Sequence, residues 1–315
     1  MQQLFLMDPL EGVAPATDTT FALMRAAAAR GHRIFFARAE TLSLWGGTAH
    51  VSAREVLLPP EGHPGPHFEW RGEAEVRQVE DFPVVWIRTD PPFDEAYLEA
   101  TWILDRVDRR RTLLMNDPTG IRGANEKLYA LNFSELCPPT LVTSDRAHLR
   151  RFVEEHGEAV LKPLAGYAGG GILFANAKMR GLSALIEVAT PGGARTEAQA
   201  YLPEAARGDK RIILLNGEPL GAVLRVHGEG EERNNLHLGG SAQKTTLDDD
   251  DRRIIRAIAP RLREDGLRFV GVDVIGGKLT EINVTSPTGI LEIEALDGPG
   301  ARSRVIQWTE ENAPV

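Results

Sequence analysis

The sequence predicts an α/β protein with a parallel sheet near its N-terminus, and three observations support this class. A short apolar run at residues 4–7, a helical pattern at 20–30 and a second apolar run at 34–37 follow one another in β-α-β order, which is typical of parallel sheets. Further β-type runs alternate with helical patterns through most of the chain. The chain has 315 residues, enough for about two or three domains.

Composition narrows the class of protein. The hydrophobic content of 42% and the charged content of 26% are ordinary for a soluble globular chain. The net charge is −9 and no basic, aromatic-interleaved patch occurs, so nucleic acid is not an expected partner. The apolar runs are too short to span a membrane, and the first residues lack the features of a secretory signal. A single cysteine, Cys137, excludes an internal disulfide and a cysteine-cluster metal site. We therefore expect a cytoplasmic protein.

Local signals place the elements of the first half. The helix over 20–30 has a capping group at Asp18 and a stop at Gly31. The strand over Val84–Ile87 leads into the polar run 88–94, and the carboxyl ends of parallel strands are where α/β sheets place ligand sites. A charged turn without a binding role is the alternative. The other elements expected here are a turn-rich loop over 59–72, a helix over 95–109 and a strand over 112–115.

The second half continues the mixed pattern. The predicted elements are a helix over 122–134, strands over 160–162 and 172–175, a helix and a strand within 181–200, a hairpin of 212–215 with 220–226, and a helix over 248–264.

The most informative stretch is residues 269–288. Two β-type runs flank Gly276-Gly277-Lys278, which predicts a hairpin. A three-residue loop with glycine at the position of positive φ pairs Ile275 with Leu279. This register brings the polar side chains of the two strands onto one face.

Three of those polar side chains have the chemistry of a metal site. In the predicted register Asp273 faces Glu281, and Asn283 shares their face. The two carboxylates repel each other unless a cation lies between them. All-oxygen ligands suit Mg²⁺, which usually also binds phosphate oxygens of a nucleotide. A polar face toward solvent is the alternative.

A glycine-rich segment follows Lys162 and extends to Gly171. Glycines let backbone N–H groups approach phosphates, and a lysine meets phosphate as a point charge. The segment is neither a Walker A loop nor a Gly-x-Gly-x-x-Gly fingerprint. A glycine-rich hairpin tip is the alternative.

Two further clusters suit a nucleotide and an anionic substrate. A strand edge at 197–203 offers backbone groups to adenine, while Asp209 suits ribose hydroxyls and Arg211 a terminal phosphate. A surface turn is the alternative. Arg225 and Arg233 bracket a long glycine-rich loop, and such loops are usually lids or disordered.

The order of these signals is more specific than any one of them. The chain resembles the ATP-grasp ligases and, among them, the bacterial glutathione synthetases. The matching segments are Met7-Asp-Pro, Asp90-Pro-Pro-Phe-Asp, Asn125-Glu-Lys-Leu, Leu161-Lys-Pro-Leu, Ala198-Gln, Tyr201-Leu-Pro, Gly208-Asp-Lys-Arg, Gly217-Glu-Pro, Arg233 with Asn235-Leu, Gly271-Val-Asp and Leu279-Thr-Glu-Ile-Asn-Val-Thr-Ser-Pro-Thr.

The resemblance implies an ATP-grasp fold with an N-terminal parallel-sheet (pre-ATP-grasp) domain. It implies an N-terminal α/β substrate domain at 1–122, a central lid domain at 123–200 and a C-terminal catalytic domain at 201–315. It also implies a homo-oligomer, expected to be a tetramer, that joins γ-glutamylcysteine and glycine through an acyl phosphate with release of ADP and phosphate.

The resemblance also implies roles for individual residues. The catalytic residues are Arg211, Arg233 and Asn235. The ATP-binding residues are Lys127, Lys162, Gly166, Gly169, Gly170, Gln199, Tyr201, Leu202, Asp209 and Arg211. The substrate-binding residues are Arg88, Arg225, Arg233, Ser286, Pro287 and Thr288. The ligands of Mg²⁺ or Mn²⁺ are Asp273, Glu281 and Asn283.

The chain departs from the family pattern at Ala165, Ala168, Ser241 and Leu291. We expect Ser241 and Leu291 to alter substrate contacts. Two alternatives stay open: a ligase of the same fold that joins a different peptide or amine, and a non-catalytic nucleotide-binding protein. The three predicted metal ligands argue against the second.

Overall fold

The computed structural model describes residues 1–166, 169–228 and 239–314, whose strands form three sheets. Within these ranges, no helix has the length and hydropathy needed to cross a bilayer.

The first sheet is parallel at its centre. Its strands are β1 (Gln2–Leu6), β2 (Arg33–Ala37), β3 (Ser43–Trp45), β4 (Thr48–Leu57), β5 (Glu69–Gln78), β6 (Val84–Ile87) and β7 (Leu113–Met115). Their order is β3-β4-β2-β1-β6-β7, with β5 paired to β4. β1 lies parallel to β2 and β6, and β6 lies parallel to β7, which confirms the β-α-β opening. The helices here are α1 (Thr19–Ala29), α2 (Glu95–Leu104) and α3 (Pro118–Gly123).

Two predictions for this region are wrong in part. The loop predicted over 59–72 ends early, because β5 begins at Glu69. β3 and β4 precede that loop and were not predicted, although alternating burial at Ala49, Val51 and Ala53 is the usual mark of a half-buried strand. The helix predicted over 95–109 ends at Leu104, where the Arg109 guanidinium donates to the Leu104 carbonyl at 2.9 Å.

The middle of the chain forms a small antiparallel sheet with its own core. Its strands are β8 (Thr140–Thr143), β9 (Glu158–Pro163), β10 (Leu173–Asn176) and β11 (Thr196–Ala200), in the order β10-β9-β11-β8. Its helices are α4 (Glu126–Ala130), α5 (Arg146–His156) and α6 (Leu182–Ala189). The core of this sheet includes Leu149, Val153 and Leu161.

The helix predicted over 122–134 is wrong in its bounds. Ala124 leaves the helical conformation, and Asn125 then caps α4 by accepting from the amides of Lys127 and Leu128. A 3-10 turn over Leu131–Leu136 follows α4. The break places Lys127 at the start of a helix that packs against the C-terminal hairpin.

The third sheet is antiparallel and carries the hairpin. Its strands are β12 (Asp209–Leu215), β13 (Glu218–Val226), β14 (Ser241–Lys244), β15 (Phe269–Ile275) and β16 (Lys278–Asn283), in the order β14-β13-β12-β15-β16. The helices are α7 (Asp249–Glu264), α8 (Ile290–Asp297) and α9 (Ala301–Asn312). This sheet shares its apolar core with the first sheet: Leu6 clusters with Val272, and Trp86 clusters with Ile213.

The hairpin forms the predicted Asp273–Glu281 pair, but with a shorter turn than predicted. Gly276 and Gly277 both take positive φ, at 55° and 73°, as a two-residue turn of this hand requires. Ile275 therefore pairs with Lys278, and its predicted partner Leu279 pairs with Val274 instead. A register shift next to Asp273 then restores the Asp273–Glu281 pair. The predicted loop length is wrong, but the predicted face is correct.

Candidate active site

The sheets enclose a cleft of about 860 Å³, which is lined by the predicted site residues. Every predicted site residue within the described ranges lines it: Arg88, Lys127, Lys162, Gly166, Gly169, Gly170, Gln199, Tyr201, Leu202, Asp209, Arg211, Arg225, Asp273, Glu281, Asn283, Ser286, Pro287 and Thr288. Arg233 and Asn235 lie outside the described residues, as does most of the predicted lid.

Asp273 is the centre of a buried charge network. Antiparallel pairing of β12 with β15 puts Arg211 opposite Asp273, and the guanidinium donates to both carboxylate oxygens at 2.5 and 2.8 Å. Arg225, one strand further along, lies 3.0 Å from the same carboxylate. Burial alone would raise the pKa of Asp273, but the two guanidinium charges outweigh it and hold that pKa well below its usual range.

Arg211 and Arg225 compensate the charge of Asp273, which the sequence alone does not predict. The sequence pattern indicates that a metal must separate the carboxylates, whereas the structure supplies cations from the neighbouring strands. Arg225 also binds both oxygens of Asp209, at 2.6 and 2.7 Å. Arg225 therefore links two carboxylates, and Arg211 additionally donates to the Thr288 carbonyl at 3.1 Å.

Two buried lysines face the glycine-rich segment and the strand edge. Lys127 Nζ donates to the Gly166 carbonyl at 2.8 Å and lies 3.6 Å from Glu281. Lys162 Nζ donates to Gln199 Oε1 at 3.0 Å and lies 3.5 Å from Glu197. Burial opposes the charge of Lys162, but the nearby carboxylates raise its pKa above the usual value, so both the position and the charge suit a phosphate.

The backbone of the glycine-rich segment is closely packed. A Cβ at Gly166 would come within 2.6 Å of Pro163 and 2.9 Å of the Gly170 carbonyl, so any side chain there would collide. Nearby, Val160, Ile172 and Phe174 line the same cleft as apolar groups. An apolar wall beside a strand edge suits a planar base.

The carboxylates at the hairpin fit a hard divalent cation. Glu281 is partly exposed and has Lys127 as its ion-pair partner at 3.6 Å. Burial, and after it the charge of Glu281, raises the pKa of the neighbouring Glu126 to about 7, so a third carboxyl group lies close to the hairpin. Across the described chain no three His, Cys, Asp or Glu side chains converge, so the candidate donor set is Asp273, Glu281 and the Asn283 amide oxygen.

The N-terminal sheet contributes the opposite wall. Arg88 follows β6 and is only 3% exposed. Its Nε donates to Thr20 Oγ1 and its Nη2 to the Pro287 carbonyl, both at 3.0 Å. Ser286 Oγ donates to Asp90 Oδ1 at 2.5 Å, which ties the turn over 286–288 to this wall.

Several cleft residues were not predicted as site residues: Asp8, Asp18, Glu126 and Thr285. Asp18 was expected only as a helix cap, and its carboxylate does accept from the Phe21 amide at 2.7 Å. Glu126 precedes the predicted Lys127 on α4, and its Oε1 accepts from Thr285 Oγ1 at 3.2 Å. Adjacency to Lys127 was the available signal.

The expected effects of Leu291 and Ser241 on substrate contacts stay predictions. Leu291 packs against the core shared by the first and third sheets rather than lining the cleft wall that the described residues form. The expectation for Ser241, at the start of β14 and paired with Val226, stays a prediction.

Comparison with known families matches nearly the whole chain. The family model for the N-terminal domain of prokaryotic glutathione synthetase matches residues 1–122, and the model for the ATP-grasp domain of prokaryotic glutathione synthetase matches residues 126–298.

Curated relatives match over their full length. A glutathione synthetase of Nostoc sp. is 46% identical over 322 residues, covering 100% of this chain and 99% of the relative. A glutathione synthetase of Synechococcus elongatus is 48% identical, covering 98% of each. The family predicted from the sequence is confirmed.

Solved structures support the fold. The ATP-grasp ligase PsnB in complex with a minimal precursor superposes with a TM-score of 0.64 at 18% identity, covering 99% of this chain and 98% of that chain. The D-cycloserine synthetase DcsG gives a TM-score of 0.64 at 17% identity, covering 98% and 99%. At such identities the likeness concerns the fold, and the predicted ATP-grasp class is confirmed.

Proposed function

This chain belongs to the prokaryotic glutathione synthetase family, and we propose that its cleft joins γ-glutamylcysteine to glycine at the expense of ATP. It is an ATP-dependent ligase that uses small molecules and a divalent metal, as the family does. The observation that carries the proposal is the convergence in one cleft of two buried lysines, a doubly paired Asp273 and an oxygen donor set on the hairpin.

The reaction proceeds in two steps, a phosphoryl transfer and then an acyl transfer. A carboxylate oxygen of the cysteine residue attacks the γ-phosphorus of ATP, and ADP leaves, which gives an acyl phosphate. The nitrogen of glycine then attacks the acyl carbon, and phosphate leaves as the amide bond forms and the amine loses a proton. Fixed positive charge aimed at the transferring group stabilises the first step. We assign this role to Arg211, because Asp273 and the Thr288 carbonyl hold its guanidinium in place.

The nucleotide is proposed to lie between the middle and third sheets. Lys127 and Lys162 bind phosphate oxygens, and the backbone of Gly166, Gly169 and Gly170 approaches them. The strand edge at Gln199, Tyr201 and Leu202 receives the base. Asp209 lies toward the ribose while its carboxylate holds Arg225.

The hairpin is proposed to hold the metal. Asp273, Glu281 and Asn283 supply oxygen donors for Mg²⁺ or Mn²⁺. When bound, such a cation neutralises charge on the phosphate oxygens.

Other parts of the assignment rest on the family alone. We propose that Arg233 and Asn235 close over the acyl phosphate, and that the chain divides into domains at 1–122, 123–200 and 201–315. On the same ground we propose that the chain forms a homo-oligomer, a tetramer. Arg225 and the turn over Ser286, Pro287 and Thr288 are proposed to contact substrate.

Measurement of ADP release tests the function. We expect release to require γ-glutamylcysteine and glycine together, with glutathione detected by mass spectrometry. A panel of amines at equal concentration is the control for the acceptor. ADP release at least about tenfold faster with another amine than with glycine, as a ratio of kcat/KM, would contradict the assignment of glycine.

A further inference from the structure

Glu126 has one carboxylate oxygen that is open to the cleft. The residue begins α4 and lines the cleft. Its Oε1 accepts from Thr285 Oγ1 at 3.2 Å, and within the described ranges no hydrogen bond reaches Oε2. Oε2 does not belong to the fully buried side-chain atoms that lack a partner there, so a ligand can reach it. One oxygen therefore fixes the carboxylate, and the other is available to a hydrogen-bond donor.

The segment 285–288 places this oxygen beside the reaction centre. Thr285 bonds Glu126 at one end of the segment, and the Thr288 carbonyl accepts from Arg211 at 3.1 Å at the other end. Three Cα steps span at most about 11 Å. An amine about 3 Å from Oε2 and about 3 Å from an acyl carbon fits within that span. The phosphate of the acyl phosphate then lies toward Arg211, on the other side of the acyl carbon.

The charges around Glu126 suit a proton acceptor. The ionisable groups that interact with it are Lys127 on α4, Glu281 on β16, Arg211 on β12 and Tyr97 on α2. Burial, and after it the charge of Glu281, raises the pKa of Glu126 to about 7, and a general base is most effective when its pKa lies near the working pH. The cations of Lys127 and Arg211 disfavour a further positive charge beside them, so an ammonium group brought here loses a proton more easily than in water.

We propose that Glu126 is a catalytic residue that binds the ammonium group of the acceptor amine at Oε2 and takes one proton from it. An N–H bond breaks, an O–H bond forms on Glu126, and the neutral nitrogen attacks the acyl carbon. The bond from the acyl carbon to the phosphate oxygen then breaks. The second proton leaves with the phosphate as the amide forms, and Glu126 releases its proton to water. The inference rests on the proposed function, because it adds the proton acceptor to that acyl transfer.

A neutral acceptor separates the proton transfer from the rest of the reaction. Hydroxylamine is largely unprotonated at neutral pH and traps an acyl phosphate as a hydroxamate, whereas glycine arrives as an ammonium ion. Glu126→Gln keeps an oxygen that accepts from Thr285 but cannot take up a proton. We expect this variant to lower kcat/KM for glycine roughly 100-fold and to leave kcat/KM for hydroxylamine within about threefold of the wild-type value.

Two further variants complete the test. Glu204→Gln is the matched control, because the Glu204 side chain lies against Gly276 in the same hairpin but outside the described lining of the cleft. It should leave kcat/KM for both amines unchanged. Thr285→Val removes the bond that orients Glu126 and keeps the carboxylate. It should lower kcat/KM for glycine by up to about tenfold and leave that for hydroxylamine unchanged.

The outcomes separate this inference from the proposed function. Equal losses with glycine and hydroxylamine would assign Glu126 to the phosphoryl transfer or to the fold, and unchanged rates with both would exclude it from the reaction; either overturns the inference. If Glu126→Gln fails to fold, Thr285→Val decides the question with the same two amines. If the wild-type chain ligates another protonated amine but not glycine, the assignment of glycine falls, and that amine takes its place in the same comparison. If no amine is ligated, both fall.

Discussion

The two ends of the cleft satisfy their charges in opposite ways. At the hairpin end, Asp273 is fully buried among Arg211, Arg225 and the Asn283 amide, all from the chain itself. At the N-terminal end, Arg88 is equally buried but contacts neutral groups, and its Nη1 has no hydrogen-bond partner among the residues that the structure describes. A reaction centre gains from charges that are already positioned before the substrate arrives. A buried donor without an acceptor costs free energy in the folded protein, and this cost falls on the N-terminal end of the cleft.

The largest expected effect comes from removing charge at the hairpin end. Asp273→Asn and Glu281→Gln should each lower turnover on the order of 10²-fold or more, since each removes a carboxylate assigned to the metal. Their stabilities should differ. Asp273→Asn leaves Arg211 and Arg225 buried without their shared partner and should cost about 3 kcal/mol, whereas Glu281 is partly exposed and its loss should cost little.

Steady-state ADP release at saturating Mg²⁺ and thermal unfolding measure the two effects. Near-normal release in either variant would contradict the metal assignment. Identical unfolding midpoints for the two variants would contradict the account of Asp273 as the partner of two buried cations.

The next largest effect concerns the nucleotide. Lys162→Met removes a positive charge from the wall that faces the phosphates and leaves Glu197, which is 0% exposed, without its ion-pair partner. We expect the KM for ATP to rise roughly 10- to 150-fold and that for γ-glutamylcysteine to change little. Lys178→Met, at an exposed position, is the control. An unchanged KM for ATP would contradict the assignment of Lys162 to the nucleotide site.

A smaller effect tests the position of Leu291. Because Leu291 packs against the shared core, Leu291→Ala should lower the free energy of unfolding by about 1–2 kcal/mol, less than at a fully buried site. The KM for glycine should stay the same. If Leu291→Ala changes the preference among amines and leaves the free energy of unfolding unchanged, Leu291 contacts the acceptor amine instead of the core.

The smallest effect is a pH dependence at the hairpin end. Burial and the charge of Glu281 raise the pKa of Glu126 from 4.5 to about 7, so the folded state binds more protons than the unfolded state between these values. Stability therefore falls as the pH rises through this window. Glu126→Gln should remove that slope and be the more stable form near pH 8, by on the order of 1 kcal/mol. Urea unfolding without metal at about pH 5 and pH 8 measures this pH dependence. An equal change in the free energy of unfolding of the wild-type chain and of Glu126→Gln between the two pH values would contradict the shifted pKa.

Local signals predicted the parts of the site that depend on short stretches of chain. The two glycines of the hairpin, with β-type runs on both sides, were enough to place Asp273 opposite Glu281 even though the loop length was wrong. Lys162 was recognisable from the glycines that follow it, because phosphate binding needs close backbone approach.

The order of these segments along the chain then indicated one family. The predicted site residues that the structure describes do line one cleft. By itself, therefore, the sequence determined the fold class, the family and much of the composition of the cleft wall. These depend on residue type and spacing, which the chain carries locally.

Only the tertiary structure decided how the charges are paired. Arg211 and Asp273 are 62 residues apart, and their contact depends on the register of β12 with β15. The pKa of Glu126 depends on how deeply α4 packs against β16, and the unused donor of Arg88 depends on what surrounds it on every side. Electrostatic effects follow distance and burial in space rather than separation along the chain, and for this reason the division of the cleft into a paired end and an unpaired end appears only after folding.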